Sequence, residues 1–170
     1  VQTCALPISA RQMASPPRGG MGLCVDGDNL LFVGNGGLYY YTYSPTEDRY
    51  LEPPEQIFAI AHAEHGGHAI RKGPDGYWYL VGGNDSQFRK EHASKNLYGI
   101  LKPDGGAILR ISPDLRECGV VAHGFRNPYD FDFDSSGNLQ TYDSDCERDY
   151  FLPWYTPTRV YNVAVGQHHG

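Results

Sequence analysis

One pattern occurs three times along this chain and limits the folds open to it more than any other feature. Residues 22–35, 69–84 and 129–145 each read as an apolar or aromatic stretch, an Asp-Gly or Ser-Gly turn, and a second such stretch. Gly27, Gly76 and Gly137 mark the turns. A tight connection between antiparallel strands needs positive φ, which glycine adopts without a Cβ penalty, so each segment predicts a β-hairpin. Eight positions beyond those glycines stand Asn35, Asn84 and Asp145, so the second strand of every hairpin ends in a small polar residue.

Further strands are expected at 38–43, 57–61, 107–111 and 120–123, where apolar and β-branched residues cluster. With the hairpins they make sheets of about four strands at a repeat of roughly forty to sixty residues, the period of propeller blades. The expected fold is all-β: a partial β-propeller of roughly two to three four-stranded blades out of about six. The blades divide near 18–60, 61–123 and 124–170. An open arc leaves sheet faces and edges unburied, so a longer natural protein is expected. The polar stretch 86–105, with Arg89, Lys90, Glu91 and Lys95, reads as an inserted loop or as a short surface helix.

Composition agrees with this and excludes some partners. Among 170 residues, 21 glycines, 12 prolines and 13 tyrosines favour turn-rich β structure, and 40% hydrophobic content is enough for a core. A net charge of -6 argues against a nucleic-acid partner, because phosphate binding needs a basic face. No apolar run reaches the length of a membrane span. Cys4, Cys24, Cys118 and Cys146 show neither a C-x-x-C pair nor zinc-site spacing, which leaves open one disulfide between distant cysteines. The first eight residues read like a translated sequencing adapter; residues 1–9 are therefore set aside, the domain is taken as 10–170, and both ends are expected to be incomplete.

The register of the repeats also places chemistry. Eleven positions before Gly76 stands His65, and eleven before Gly137 stands Arg126, each just ahead of the first strand of its blade. First strands line the channel of a propeller, so the two side chains are expected at one axial pocket, a base beside a cation. The first repeat has Pro16 at this place, with Arg18 nearby. His62, His65 and His68 recur every third residue, a spacing that suggests a metal face on a helix but alternates sides beside a strand. Trp78 and the run Tyr39, Tyr40 and Tyr41 read as packing between blades.

Three segments carry a resemblance. They are His65-Gly66-Gly67-His68-Ala69-Ile70 with Gly73-Pro74-Asp75-Gly76 and Tyr77-Trp78-Tyr79; Gly124-Phe125-Arg126-Asn127-Pro128-Tyr129-Asp130; and Asp143-Ser144-Asp145 with Leu152-Pro153-Trp154-Tyr155. Over residues 20–170 the chain resembles the quinone (PQQ)-dependent glucose/sorbosone dehydrogenases, and more closely the membrane-bound dehydrogenase-like propellers of planctomycete-type bacteria. The resemblance implies oxidation of a sugar or other alcohol, with hydride passing to PQQ while His65 removes the hydroxyl proton. Histidine suits that task because it titrates near neutral pH.

Arg126 and Asn127 are implied as quinone or substrate contacts, since a guanidinium pairs with carboxylate through two parallel bonds. Asn84 falls on a further cofactor-site position that is usually acidic in sugar-oxidising members. Calcium is implied as the ion that polarises the quinone, with Asp143 and Asp145 as its local ligands; the other reading of this pair is a turn with exposed charge. A haem c domain or cytochrome as electron acceptor goes with the resemblance, as does a periplasmic or other extracytoplasmic, membrane-associated location. The piece alone is expected to be inactive. The second function class is a propeller that only binds or scaffolds partners, because the fold hosts many functions.

Overall fold

Each repeat segment folds as the turn chemistry requires. In the computed structural model, which describes residues 10–144 and 157–170, β1 (Gly22–Asp26) pairs with β2 (Asn29–Gly34) around Gly27. Likewise β7 (Gly67–Lys72) pairs with β8 (Trp78–Gly82) around Gly76, and β11 (Pro128–Phe133) with β12 (Leu139–Asp143) around Gly137. The three glycines have φ of 61°, 80° and 81°, the left-handed region that a side chain disfavours.

The remaining strands extend these hairpins into antiparallel meanders. The first sheet adds β3 (Gly36–Tyr41) and β6 (Glu55–Ile60), in the order β1-β2-β3-β6. A small hairpin of β4 (Tyr43–Ser44) and β5 (Arg49–Tyr50) branches from it. The second sheet adds β9 (Gly106–Ile111) and β10 (Cys118–Phe125), in the order β7-β8-β9-β10. The third holds β11, β12 and β13 (Arg159–Asn162). The chain is thus all-β, an arc of blade-like sheets matching part of a β-propeller.

Burial explains why the sheets fan side by side. Two-residue periodicity sends alternate side chains of the middle sheet to opposite faces. Trp78 and Leu80 of β8 and Leu109 of β9 join Leu31, Val33 and Leu38 of the first sheet in one core. Their chain neighbours Val81 and Ile108 join Phe131 and Leu139 of the third sheet in another. The middle sheet is covered on both faces, and most residues of β8, β9 and β10 are buried.

The stretch between β8 and β9 is an inserted loop, part of which is buried. It contains one 3₁₀ turn, Lys90–Ala93, and Phe88, His92, Ala93 and Ile100 are buried. The amide of Arg89 donates to His92 Nδ1 at 2.9 Å, so Nε2 carries the ring proton and donates to Ala59 O at 2.8 Å. The insertion is therefore pinned against β6 of the neighbouring sheet.

Cys24 and Cys118 are free thiols, and burial pushes the Cys118 thiol up to about 12, which makes it inert. Cys4, Asp145, Cys146, the 152–155 motif and the adapter-like segment lie outside the described residues.

Candidate functional site

Asn84 follows β8 and joins two loops from neighbouring sheets. Its backbone amide donates to Arg126 O at 2.7 Å, while its side-chain Oδ1 lies 2.8 Å from His65 Nδ1. Just before it, Gly83 fills the space between those loops: a Cβ there would stand 2.7 Å from His65 O and 2.8 Å from Arg126 O. His65 and Arg126, sixty-one positions apart in the sequence, therefore converge on one end of the arc.

Asn84 also decides which nitrogen of His65 is reactive. An amide oxygen only accepts, so Nδ1 carries the proton and donates to Asn84, leaving the Nε2 lone pair available. The Asp85 carboxylate lies 3.8 Å from the same Nδ1. The His65 side chain is 13% exposed. The Asp85 side chain is 55% exposed. Asn84 itself orients the histidine.

Asp143 ends β12 beneath the Arg126 loop, with 9% exposure. Its Oδ2 accepts from the amide of Arg126 at 2.7 Å and its Oδ1 from the amide of Asn127 at 2.6 Å. Both oxygens accept from backbone amides, and Asp143 is buried rather than an exposed turn charge. The proposed partner ligand Asp145 is outside the described residues, and among those described no group of three or more His, Cys, Asp or Glu is placed to hold a metal ion.

Arg126 Nη1 donates to Ser144 Oγ at 3.2 Å. A cleft of about 190 Å³ opens beside it, lined by Arg126, Asp143, Ser144, Arg159 and Tyr161. Two guanidinium groups on one small cleft suit an anionic ligand. Asn127 turns elsewhere: its Oδ1 lies 2.8 Å from Nε2 of His68, which is 1% exposed. His68 belongs to the 62/65/68 row and to the His65–Ile70 motif, neither of which points to Asn127. The row does not converge, because His65 meets Asn84, His68 meets Asn127, and His62 lines a separate cleft of about 430 Å³ with Met21 and Glu64.

The fold and the site together define a class: a propeller arc with a histidine and an arginine held at one end. No protein-family model matches the sequence, and no curated protein does. Solved structures match the fold. The PQQ-bound form of an aldose sugar dehydrogenase from Streptomyces coelicolor superposes with a TM-score of 0.61 at 19% identity, covering 93% of this chain and 49% of that one. The holo PQQ domain of a pyranose dehydrogenase from Coprinopsis cinerea gives 0.55 at 12% identity, over 83% of this chain and 39% of that one. A further glucose dehydrogenase gives 0.55 at 18% identity, over 96% and 57%. At these identities the likeness is one of fold, and the chain spans about half the length of these neighbours.

Proposed function

We propose that the chain is part of a PQQ-dependent dehydrogenase that oxidises a sugar or other alcohol, with His65 as the base. The observation that carries this reading is the double engagement of Asn84, which sets an imidazole with a bare Nε2 next to the Arg126 loop. The fit to the cofactor is tested by the donor set: Arg126 and Arg159 on one cleft match the carboxylates of PQQ, and Gly83 leaves room where a side chain would push the two loops apart.

When bound, the quinone accepts the hydride from the carbon that bears the substrate hydroxyl. His65 Nε2 takes the hydroxyl proton, so the carbon–oxygen bond of the product becomes a carbonyl. Asn84 holds the Nδ1 proton and keeps the ring from rotating. The Asp85 carboxylate steadies the imidazolium that results. Arg126 holds ligand oxygens, and Asp143 holds Arg126 by gripping the backbone beneath it. Transfer of electrons to a haem c domain or cytochrome, and work outside the cytoplasm, belong to the same reading.

The test is dye reduction by the full-length protein supplied with PQQ and calcium, against a panel of aldoses and alcohols. His65→Gln is expected to lower kcat by about a hundredfold or more while PQQ still binds, as for the loss of a general base. No reduction with any substrate would leave the propeller as a binding scaffold.

A further inference from the structure

After β13 the chain crosses from the third sheet to the second, and residues 164–170 lie along β10 as a strap. The two segments run in parallel where His168 meets His123. Backbone bonds carry the contact: the Gly166 amide donates to Val121 O at 2.6 Å, the His123 amide to Gln167 O at 3.2 Å, and the His169 amide to His123 O at 2.8 Å. Val163, just ahead of the strap, is buried in the core between the middle and third sheets. Gly124 lets the strap come close, since a Cβ there would stand 2.7 Å from His168 Cε1.

The strap also bounds the Arg126 cleft. Gly124 and Gly170 belong to the lining of that cleft. Tyr161 lines it too, and its hydroxyl donates to His169 O at 2.8 Å. The His169 ring stacks on Phe125 with 5.1 Å between centroids. Any movement of the strap therefore moves one side of the cleft.

His123 stands where strap and β10 meet. Its Nδ1 accepts from the amide of Asp104 at 3.0 Å, so the ring proton is on Nε2. The ring of His168 stands edge-on to it at 4.8 Å, and His168 Nε2 lies 3.6 Å from the Asp104 carboxylate. A proton added to His123 would go to Nδ1, where it meets an N–H that is itself a donor, so the bond to Asp104 must break. Burial holds this imidazole below its ordinary value, and His168 and His169 push it the same way, against the pull of Asp104. Those three residues are the titratable groups that face His123 from the loop before β9 and from the strap. His169 is placed differently: its Nε2 lies 3.2 Å from Ala164 O, an acceptor, so a further proton on Nδ1 leaves that bond intact.

We propose that residues 164–170 form a pH-sensitive strap, held on β10 while His123 is neutral and released when His123 takes up a proton, and that its release opens the Arg126 cleft on the side lined by Gly170. The sign follows from the geometry. The closed strap resists the proton and the open one accepts it, so acid favours the open form. Release also frees the Tyr161 hydroxyl from His169.

The test is amide hydrogen exchange of the ¹⁵N-labelled chain, read by NMR between about pH 7.5 and about pH 5.5, with each rate divided by its intrinsic value. A proton taken up by the open strap alone, at the ordinary histidine value of 6.5, raises the opening equilibrium by about tenfold over that range. Protection of the Gly166 and His169 amides is expected to fall by about that factor, while amides of β8 and β9 keep theirs. His123→Asn sets an amide oxygen near the place of Nδ1, still accepts from Asp104 and does not titrate, so in it the fall is expected to vanish. In His169→Gln it is expected to remain.

Level protection in the wild type overturns the inference, as does a fall that persists in His123→Asn. So does a loss at the strap in step with β8 and β9, because strap and fold would then open together. Should His123→Asn not fold, ring-nitrogen titration of the wild type decides. A His123 midpoint that coincides with the shift of the strap amides supports release by this histidine, and a strap transition at a different pH overturns it.

Discussion

Gly83 has no side chain because two backbones close on it from opposite sides. A methyl group there would stand within 2.8 Å of His65 O and Arg126 O, and neither is a flexible tip that can swing away. Gly83→Ala is therefore expected to cost about 1–3 kcal/mol by overpacking, read from urea unfolding, and to spread His65 from Arg126. Asp143 acts by attraction on the same loop. Asp143→Ala strands the buried amides of Arg126 and Asn127, and a loss of roughly 2–4 kcal/mol is expected from two unmet donors. Stability should also depend on acid at this scale. Burial holds His68 below its ordinary 6.5, against the pull of Asn127, and burial together with His168 holds His123 down as well. Below that value the unfolded chain takes up protons that the folded chain resists, so the unfolded state gains. The thermal midpoint should stay level above about pH 7 and fall on acidification toward about pH 5, with a shallower fall in His68→Gln.

At the scale of elements, the hairpin turns show a cost that comes from the backbone alone. Gly27 and Gly76 have positive φ, and a Cβ at either would meet nothing within 4 Å. Alanine at each should therefore cost about 1 kcal/mol, the strain of the left-handed region, with no added steric loss, and a shift in urea midpoint at constant slope would check it. The insertion between β8 and β9 obeys a different rule. It carries Arg89, Lys90, Glu91 and Lys95, yet Phe88 and Ile100 bury themselves and His92 reaches Ala59 on the neighbouring sheet. His92→Ala removes that bond, and proteolysis between residues 86 and 105 should quicken before the rest of the chain opens.

For the whole molecule, the middle sheet decides stability because it alone contributes to both cores. Leu80 and Val81 are adjacent in the chain, yet Leu80 belongs to the core shared with the first sheet and Val81 to the core shared with the third. Leu80→Ala is expected to cost about 2–5 kcal/mol as a cavity in one core, and its effect should add to that of Val81→Ala, since the two cavities are separate. The outer sheets are covered on one side: Leu23 and Val25 on β1 and Val160 on β13 remain well exposed. Hydrogen exchange should accordingly be slowest in β8 and β9 and faster in β1 and β13.

The threefold repeat was enough to specify the three hairpins and their turn glycines, because these follow from local periodicity and from φ values open to glycine, whereas β4, β5 and β13 lie outside it. It also brought His65 and Arg126 to equivalent places ahead of their first strands. The sequence did not contain the partner of each polar side chain. That His68 reaches Asn127 and that the Asn84 amide meets Arg126 O depend on how neighbouring sheets are turned against each other, while Asn84 on His65 and Asp143 on two amides are loop contacts inside one blade that the strand pattern does not spell out. A repeat defines the strands of a blade; the polar contacts within and between blades, from which this site is built, arise only when the loops close and the cores pack.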